Sequence, residues 1–555
     1  MVTNVKKRAG IFALSCALLI TAAACVKSTA ASKATIKLNK KTLTMEAGTK
    51  KTLKVKTTNI SKIVSTKWST DHADIAGVSS KGVVTANAEG GATIKCVVKY
   101  KKNAASKNKK KSLECKVTVL PKSGGSDENK TDENNTDETK STKVNGTYQI
   151  HIQGDDWGCG VDKAILSLDQ PVDSVSAKDF TVQETKQTTD WTTFATKEDT
   201  LDRKVTDAYL CDAEGRRVEE PSKYIAVELY ISPNDGSPFL YDVVGNTNTW
   251  SDPYYLTIKL ADGAALTSAG KTVSALTINT VPTAKATSAD DFTIDSFKAT
   301  DGTNYNYAFY KPAQDTKTLV VWLHGLGEGG TEKTDPSVVL LGAEAAQLSG
   351  EKFQSMMNGA YVLAPQCPTY WMDNDGKKGN YKDGSIQADG TSYYTESLHE
   401  LIADTVKKTG AEKVLISGCS NGGYMSLVLA LKYKDEYDGY VLICEALADS
   451  QITDQQLKGI KDLPLYFIYS NDDPVVDPKT CEQPTIERLK KLGATNLHVA
   501  TTDQVLDTTG RFKKEDGSTY AYMGHWSWIY FFNNESVCDD HKEGAWQWMA
   551  DLVKK

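Results

Sequence analysis

The sequence predicts a multidomain protein in which two all-β sandwiches are followed by an α/β domain with a mostly parallel central sheet. Three observations predict it. The chain has 555 residues, too many for one hydrophobic core and suited to three domains. Two stretches, 34–121 and 146–284, carry short strand-like runs broken by polar turns, as in Thr52-Leu53-Lys54-Val55 and Tyr148-Gln149-Ile150-His151-Ile152. In the last stretch, 285–555, an apolar run such as Lys413-Val414-Leu415-Ile416-Ser417 leads into the helical spacing of Gly423 to Lys432.

In chain order, residues 1–25 have the form of a secretion signal. Lys6, Lys7 and Arg8 precede an apolar stretch from Ile11 to Ala24 that is too short to span a bilayer, and Ala22 and Ala24 suit signal peptidase. Cys25 is where a bacterial lipoprotein would carry its lipid, although the leucine usual three places earlier is Ala22 here. The expectation is export, with the protein either secreted freely or held at the surface through Cys25. No other segment is apolar enough to form a transmembrane span.

Residues 34–121 come next. Lys67-Trp68-Ser69-Thr70, Ile75-Ala76-Gly77-Val78-Ser79 and Gly82-Val83-Val84-Thr85-Ala86 resemble the bacterial immunoglobulin-like group 2 module of surface proteins. Between Lys27 and Lys116 there are 21 lysines against five carboxylates, a net +16 in a chain whose total is −6. Such a module either solvates itself with lysine or is drawn to anionic wall polymers through a field that salt weakens. Residues 122–145 read as a polar linker, with almost nothing apolar to bury. In 146–284, Ala164–Leu168, Tyr224–Tyr230 and Tyr254–Ile258 read as further strands. Eleven cysteines in an exported chain invite disulfides. Cys96 with Cys115, on strands paired around a lysine-rich turn, is the first expected bridge, and Cys159 with Cys211 the second.

Gly418-Cys419-Ser420-Asn421-Gly422 stands between the strand and the helix of the last stretch. The pentapeptide alone is weak evidence. Strand, tight glycine turn and helix together describe a nucleophile elbow, which lifts a serine hydroxyl clear of the sheet. Its partners should follow in the order acid, then histidine. Leu463–Tyr469 reads as a buried strand ending in Ser470-Asn471-Asp472-Asp473-Pro474. The ring of Pro474 makes that loop rigid, so Asp473 is the favoured acid and Asp472 the alternative. Three histidines follow Ser420. His498 lies in a strand-like alternation and His541 in a charged stretch. His525 sits behind Gly524 and among Trp526 and Trp528, where glycine permits close approach and tryptophan excludes water, so it is the expected base. Upstream, the strand Thr318–Leu323 runs into His324-Gly325-Leu326-Gly327-Glu328-Gly329-Gly330. The backbone N–H groups of Leu326 and Asn421 would form an oxyanion hole, and His324 would shape the loop. The loop lacks the Gly-Lys-Ser/Thr ending of a phosphate-binding loop.

These pieces, together with Ala364-Pro365-Gln366-Cys367-Pro368, make residues 285–555 resemble the α/β-hydrolase-fold carboxylesterases. The pattern is nearest the secreted esterases grouped with feruloyl esterases, polyhydroxybutyrate depolymerases and dienelactone hydrolases. By position, the second sandwich resembles the immunoglobulin-like domain ahead of the catalytic domain in some secreted esterases. The resemblance implies acyl-enzyme catalysis by Ser420, His525 and Asp473, with no metal or organic cofactor. Cys419 is expected to be a packing residue. Trp371, in a long insertion between Cys367 and Tyr394, and Trp526 are expected to stack on an aromatic acyl group or a sugar ring. The implied protein is an extracellular serine esterase acting on acetyl or feruloyl esters of plant polysaccharide. The alternatives are a serine peptidase or polyester depolymerase of the same fold, and a surface-binding protein without activity. The expected partner is a small acyl ester or a polysaccharide-linked ester, with wall or polysaccharide contact through the basic module and no nucleic acid.

Overall fold

The computed structural model describes residues 35–554 except 47, 59, 74, 80, 88–89, 102–108, 121–141, 191–192, 244–246, 331–334, 378–387 and 515. The signal segment with Cys25, and most of the expected linker, lie outside the described residues. The chain divides into two compact units, with the boundary between Glu138 and Thr139.

In the first unit, the strands Thr42–Glu46, Lys109–Leu120, Gly90–Lys101 and Lys62–Thr70 form one sheet in that spatial order. Strict alternation buries Ala92, Ile94, Cys96 and Val98 on one strand against Cys115, Val117 and Val119 on the next. With Ile36, Leu38, Leu43, Met45 and Leu53 they close a core that belongs to this unit alone. The first expected disulfide is corrected by register. Cys96 pairs with Leu113 and Cys115 with Ile94, so the two cysteines are diagonal neighbours. Diagonal sheet positions stand about 7–8 Å apart, well beyond the Cβ separation of about 4 Å that a bridge needs. Both are free thiols. Cys159 and Cys211 are also free, because the strand Ser222–Leu229 lies between theirs and each joins a different hydrophobic cluster.

The second unit opens with a sandwich. One sheet runs in the order Val205–Cys211, Ser222–Leu229, Gly158–Val172, Thr142–Asp155, Lys271–Ile278 and Leu266–Ser268. The other holds Ala195–Arg203, Phe180–Asp190 and Tyr254–Leu260. The strand from Thr142 takes in the last residues of the expected linker and pairs in parallel with Lys271–Ile278. Inside, Arg203 and Glu184 form a fully buried ion pair at 3.1 Å. The Tyr254 hydroxyl donates to Glu184, and Arg203 donates to the carbonyls of Val161 and Tyr230. Lys186 lies 3.2 Å from the second Glu184 oxygen and Asp235 lies 3.6 Å from Arg203 Nε, so each charge of the pair also has an ionic neighbour, as burial of an ion pair favours.

The catalytic sheet has eight strands: β1 (Thr293–Lys298), β2 (Asn304–Tyr310), β3 (Thr318–Leu323), β4 (Tyr361–Gln366), β5 (Lys413–Cys419), β6 (Gly439–Ile443), β7 (Leu465–Ser470) and β8 (Leu497–Thr502). Their spatial order is β1-β2-β4-β3-β5-β6-β7-β8. Apart from β2, which pairs antiparallel with β1 and β4, neighbouring strands run parallel. Every residue of β3, β4, β6 and β7 is buried, because both faces of the sheet are covered. Alternate side chains build two cores. Val414, Ile416, Leu442 and Phe467 lie in one, and Leu415, Val441, Ile443 and Ile468 in the other. The second of these is continuous with the sandwich through Ile150, Ile152, Leu166, Leu340 and Leu341. Each such side chain stabilises the fold by about 1.5–3 kcal/mol through burial, so the second sandwich and the catalytic sheet fold around one shared core.

Candidate active site

The site gathers where β3, β5 and β7 end. At the end of β5 the chain turns through Ser420 into the helix Asn421–Lys432. Ser420 has φ 54° and ψ −115°, a conformation that a residue with a Cβ adopts at a cost. Its N–H donates to the Ile443 carbonyl on β6 at 2.8 Å, and its carbonyl accepts from Tyr424, which starts the helix. A Cβ on Gly422 would lie 1.9 Å from the Leu323 carbonyl oxygen, so the elbow can press against β3 only with glycine there.

His525 lies in the short turn Gly524–Trp526 and is buried. Its Nε2 is 2.9 Å from the Ser420 hydroxyl, and its Nδ1 is 2.7 Å from Asp473 Oδ2. Asp473 is itself fixed: its Oδ1 accepts from the N–H groups of Val475 and Val476 at 2.8 and 3.0 Å. Asp472, the alternative acid, instead accepts from the Ser470 hydroxyl and backs onto Gly524, where a Cβ would lie 2.2 Å from its Oδ1. Trp528 stands edge-on to the imidazole, with ring centroids 5.7 Å apart, and shields it. The other two histidines lie elsewhere: His498 on β8 stacks on Tyr466 and meets Glu543, with exposed His541 beside it.

The loop after β3 is built from polar contacts. Burial lowers His324 to about 4, so the ring is neutral. It donates from Nδ1 to the Gly325 carbonyl at 2.6 Å and accepts at Nε2 from the Cys367 N–H at 2.9 Å. Leu326 opens the single turn Leu326–Glu328, and Asn421 opens the elbow helix, where the first N–H groups have no acceptor within the helix. The Asn421 side chain accepts from the Trp371 N–H at 2.7 Å.

Trp371 requires a correction. It is fully buried, its Nε1 donates to the His324 carbonyl, and its ring packs among Tyr305, Tyr394 and His324. A ring closed in on every side cannot stack on a substrate, so it clasps the insertion to the loop after β3. Trp526 is half-buried, beside Tyr522 and Trp528.

Sequence reasoning missed three neighbours. Glu328 is buried beneath the glycine loop, and burial pushes its carboxyl up to about 7. Its Oε1 accepts from Asn248, 80 residues upstream in the hairpin Phe239–Asp242/Thr247–Trp250 of the second sandwich. That sandwich therefore touches the loop after β3. An acidic residue among glycines was the only signal, and Asn248 had none. The third is Cys444, whose thiol lies with Asp473 and His525 inside 4.8 Å. Cys419 is a buried packing residue, its thiol raised well above the ordinary range by burial and the nearby Glu328.

This fold and this cluster define a serine hydrolase of the α/β type. Comparison with known proteins makes the class narrower. Residues 304–505 match the phospholipase/carboxylesterase family, residues 147–275 the esterase Ig-like N-terminal domain, and residues 32–109 the group 2 bacterial Ig-like domain. The protein is a carboxylic ester hydrolase with two Ig-like domains ahead of its catalytic domain. Among solved structures, a thermostable esterase shares the fold, with a TM-score of 0.54 and 19% identity over 70% of this chain and 96% of that one. A ferulic acid esterase (TM-score 0.28, 11% identity, 38% of this chain and 90% of that one) and a carboxyl esterase from Bacillus coagulans (0.28, 13%, 38% and 89%) are too distant to add to this. No curated protein sequence matches the chain.

Proposed function

We propose that the protein is an exported serine esterase that removes short acyl groups, acetyl or feruloyl, from plant polysaccharide. The observation that supports it best is the unbroken line from the Ser420 hydroxyl through His525 to Asp473. Ser420 attacks the ester carbonyl as His525 takes its proton, and Asp473 holds the imidazole in the useful tautomer. The N–H groups of Leu326 and Asn421 meet the oxyanion, and losing one such donor typically costs about 2.7–4 kcal/mol of barrier lowering. Collapse expels the alcohol, which takes the proton from His525. Water then attacks the acyl-serine by the same route in reverse. Trp526 offers a partly exposed ring beside His525 for an aromatic acyl group or sugar. The basic first sandwich suits contact with an anionic wall or polysaccharide, and residues 1–25 suit export, free or lipidated at Cys25.

The test is hydrolysis of p-nitrophenyl acetate, acetyl-xylan and methyl ferulate by wild type and Ser420→Ala. Wild type is expected to act on all three, and the variant to lose roughly 10⁶-fold in kcat. Cleavage of peptides with no ester hydrolysis would overturn the reading, as would activity that survives Ser420→Ala.

A further inference from the structure

We propose that the outward face of the four-stranded sheet in the first sandwich is a docking surface for a carboxylate-bearing polysaccharide. The proposal rests on the reading of an esterase of polysaccharide-linked esters, and it specifies what the basic module holds.

The alternation that buries Ile94, Cys96 and Val98 turns Lys95, Lys99 and Lys101 the other way. Register then concentrates charge on that face. Lys99 stands directly opposite Lys110, and Lys101 directly opposite Lys62. Lys67, on the edge strand Lys62–Thr70, and Lys116, further along the strand of Lys110, extend the face and are exposed. Like charges directly opposite one another destabilise a sheet. A lysine scattered on an edge strand solvates the module and blocks aggregation, but Lys99 lies on a strand paired on both sides at its own position, with Lys110 and with Ser65, and guards no edge. The carboxylates at outward positions, among the described residues, are Glu114, which pairs with Lys95 at 3.2 Å, Glu46 at the end of an edge strand, and Asp71 just past the strand Lys62–Thr70, whose carboxylate accepts from the Thr93 N–H. Among the described residues, no carboxylate forms an ion pair with Lys62, Lys99, Lys101 or Lys110, so nothing described there offsets the repulsion. A ligand with closely spaced negative charges relieves it.

The chemistry of the face narrows the ligand. Residues 27–116 contain no arginine, so the face has none of the planar forks that favour phosphate and base edges. The aromatic rings of this sheet, Trp68 and Tyr100, pack against the core and leave nothing outside for a base to stack on. What remains is a grid of point charges, suited to a linear polymer with a carboxylate on each unit. Residues 139–555 hold 60 carboxylates against 39 lysines and arginines, so the catalytic unit alone is repelled by such a polymer. The lysine face supplies the attraction that brings an acidic enzyme to an acidic substrate.

The test uses the full-length Ser420→Ala protein, which binds without turnover. Retention is measured on polygalacturonate, neutral dextran, polyphosphate and anionic lipid vesicles, at low and high salt. The expected result is retention on polygalacturonate above that on dextran, weakened by salt, and reduced by about tenfold or more when Lys62, Lys99, Lys101 and Lys110 are each changed to Gln. That variant is expected to melt no lower than its parent, since it loses two repulsive pairs, so lost retention with unchanged melting supports the proposal. Unchanged retention in the variant overturns it. Equal retention on dextran, or binding to polyphosphate or vesicles without polygalacturonate, also overturns it. Wild-type hydrolysis of p-nitrophenyl acetate is read in parallel. Retention without ester hydrolysis overturns the esterase reading alone, and ester hydrolysis without retention overturns this proposal alone.

Discussion

The two Ig-like sandwiches share an architecture and differ in where their cores close. The first buries Ile94, Val98, Val117 and Val119 against its own strands and ends there. The second sends Ile150, Ile152 and Leu166 into a cluster that continues through Leu341 to Leu415 and Ile443 beneath the elbow. It also reaches the loop after β3 through Asn248 and Glu328. Fold class therefore does not decide whether a sandwich is an attachment or a part of the catalyst. The boundary of the hydrophobic core decides it.

Removing residues 139–288 would break this contrast most severely. The catalytic sheet would then expose the face it now shares, and the product is expected to be insoluble and inactive. A soluble, active remnant would show that the face closes unaided. A matched pair of core truncations sharpens the contrast. Ile94→Ala and Leu341→Ala each remove a fully buried side chain and should each cost about 2–5 kcal/mol. Calorimetry should assign the first loss to a transition that leaves esterase activity in place. The second should lower the temperature at which activity is lost. One transition shifted equally by both variants would contradict two separate cores.

The smallest effect concerns the carboxyl where the second sandwich meets the loop after β3. Burial holds Glu328 protonated up to about pH 7, against an ordinary value of 4.5. Between those values the folded protein binds a proton that the unfolded chain has released, so the stability tied to this group falls as pH rises from about 4.5 to 7. Urea unfolding across that range should show the decline in wild type and less of it in Glu328→Gln. An identical slope in both would place the titration elsewhere.

Much of the site was legible because its chemistry is written locally. Gly418 to Gly422 lie between a strand and a helix, Asp473 precedes a proline at a strand end, and Gly524 precedes His525. Each feature is a backbone requirement that only certain residues meet, and sequence displays it directly. What was not legible depends on register and on distant packing. A shift of two positions separates Cys96 from Cys115 as bridge partners. Trp371 reads as a loop aromatic free to meet a ligand, yet Asn421 and His324 draw it inside. Asn248 meets Glu328 only once two domains have docked, and no local pattern marks that meeting.

The backbone of Ser420 has a consequence for how this enzyme ages. A serine at φ 54° and ψ −115° is held about 1–3 kcal/mol above a relaxed conformation, and its bonds to the Ile443 carbonyl and the Tyr424 N–H, with β3 packed against Gly422, help keep it there. Any loosening of those neighbours lets the turn relax while most of the molecule is still intact. Turnover is then a more sensitive gauge of wear than any spectroscopic measure of bulk structure, and a stored sample should fall silent before it visibly unfolds.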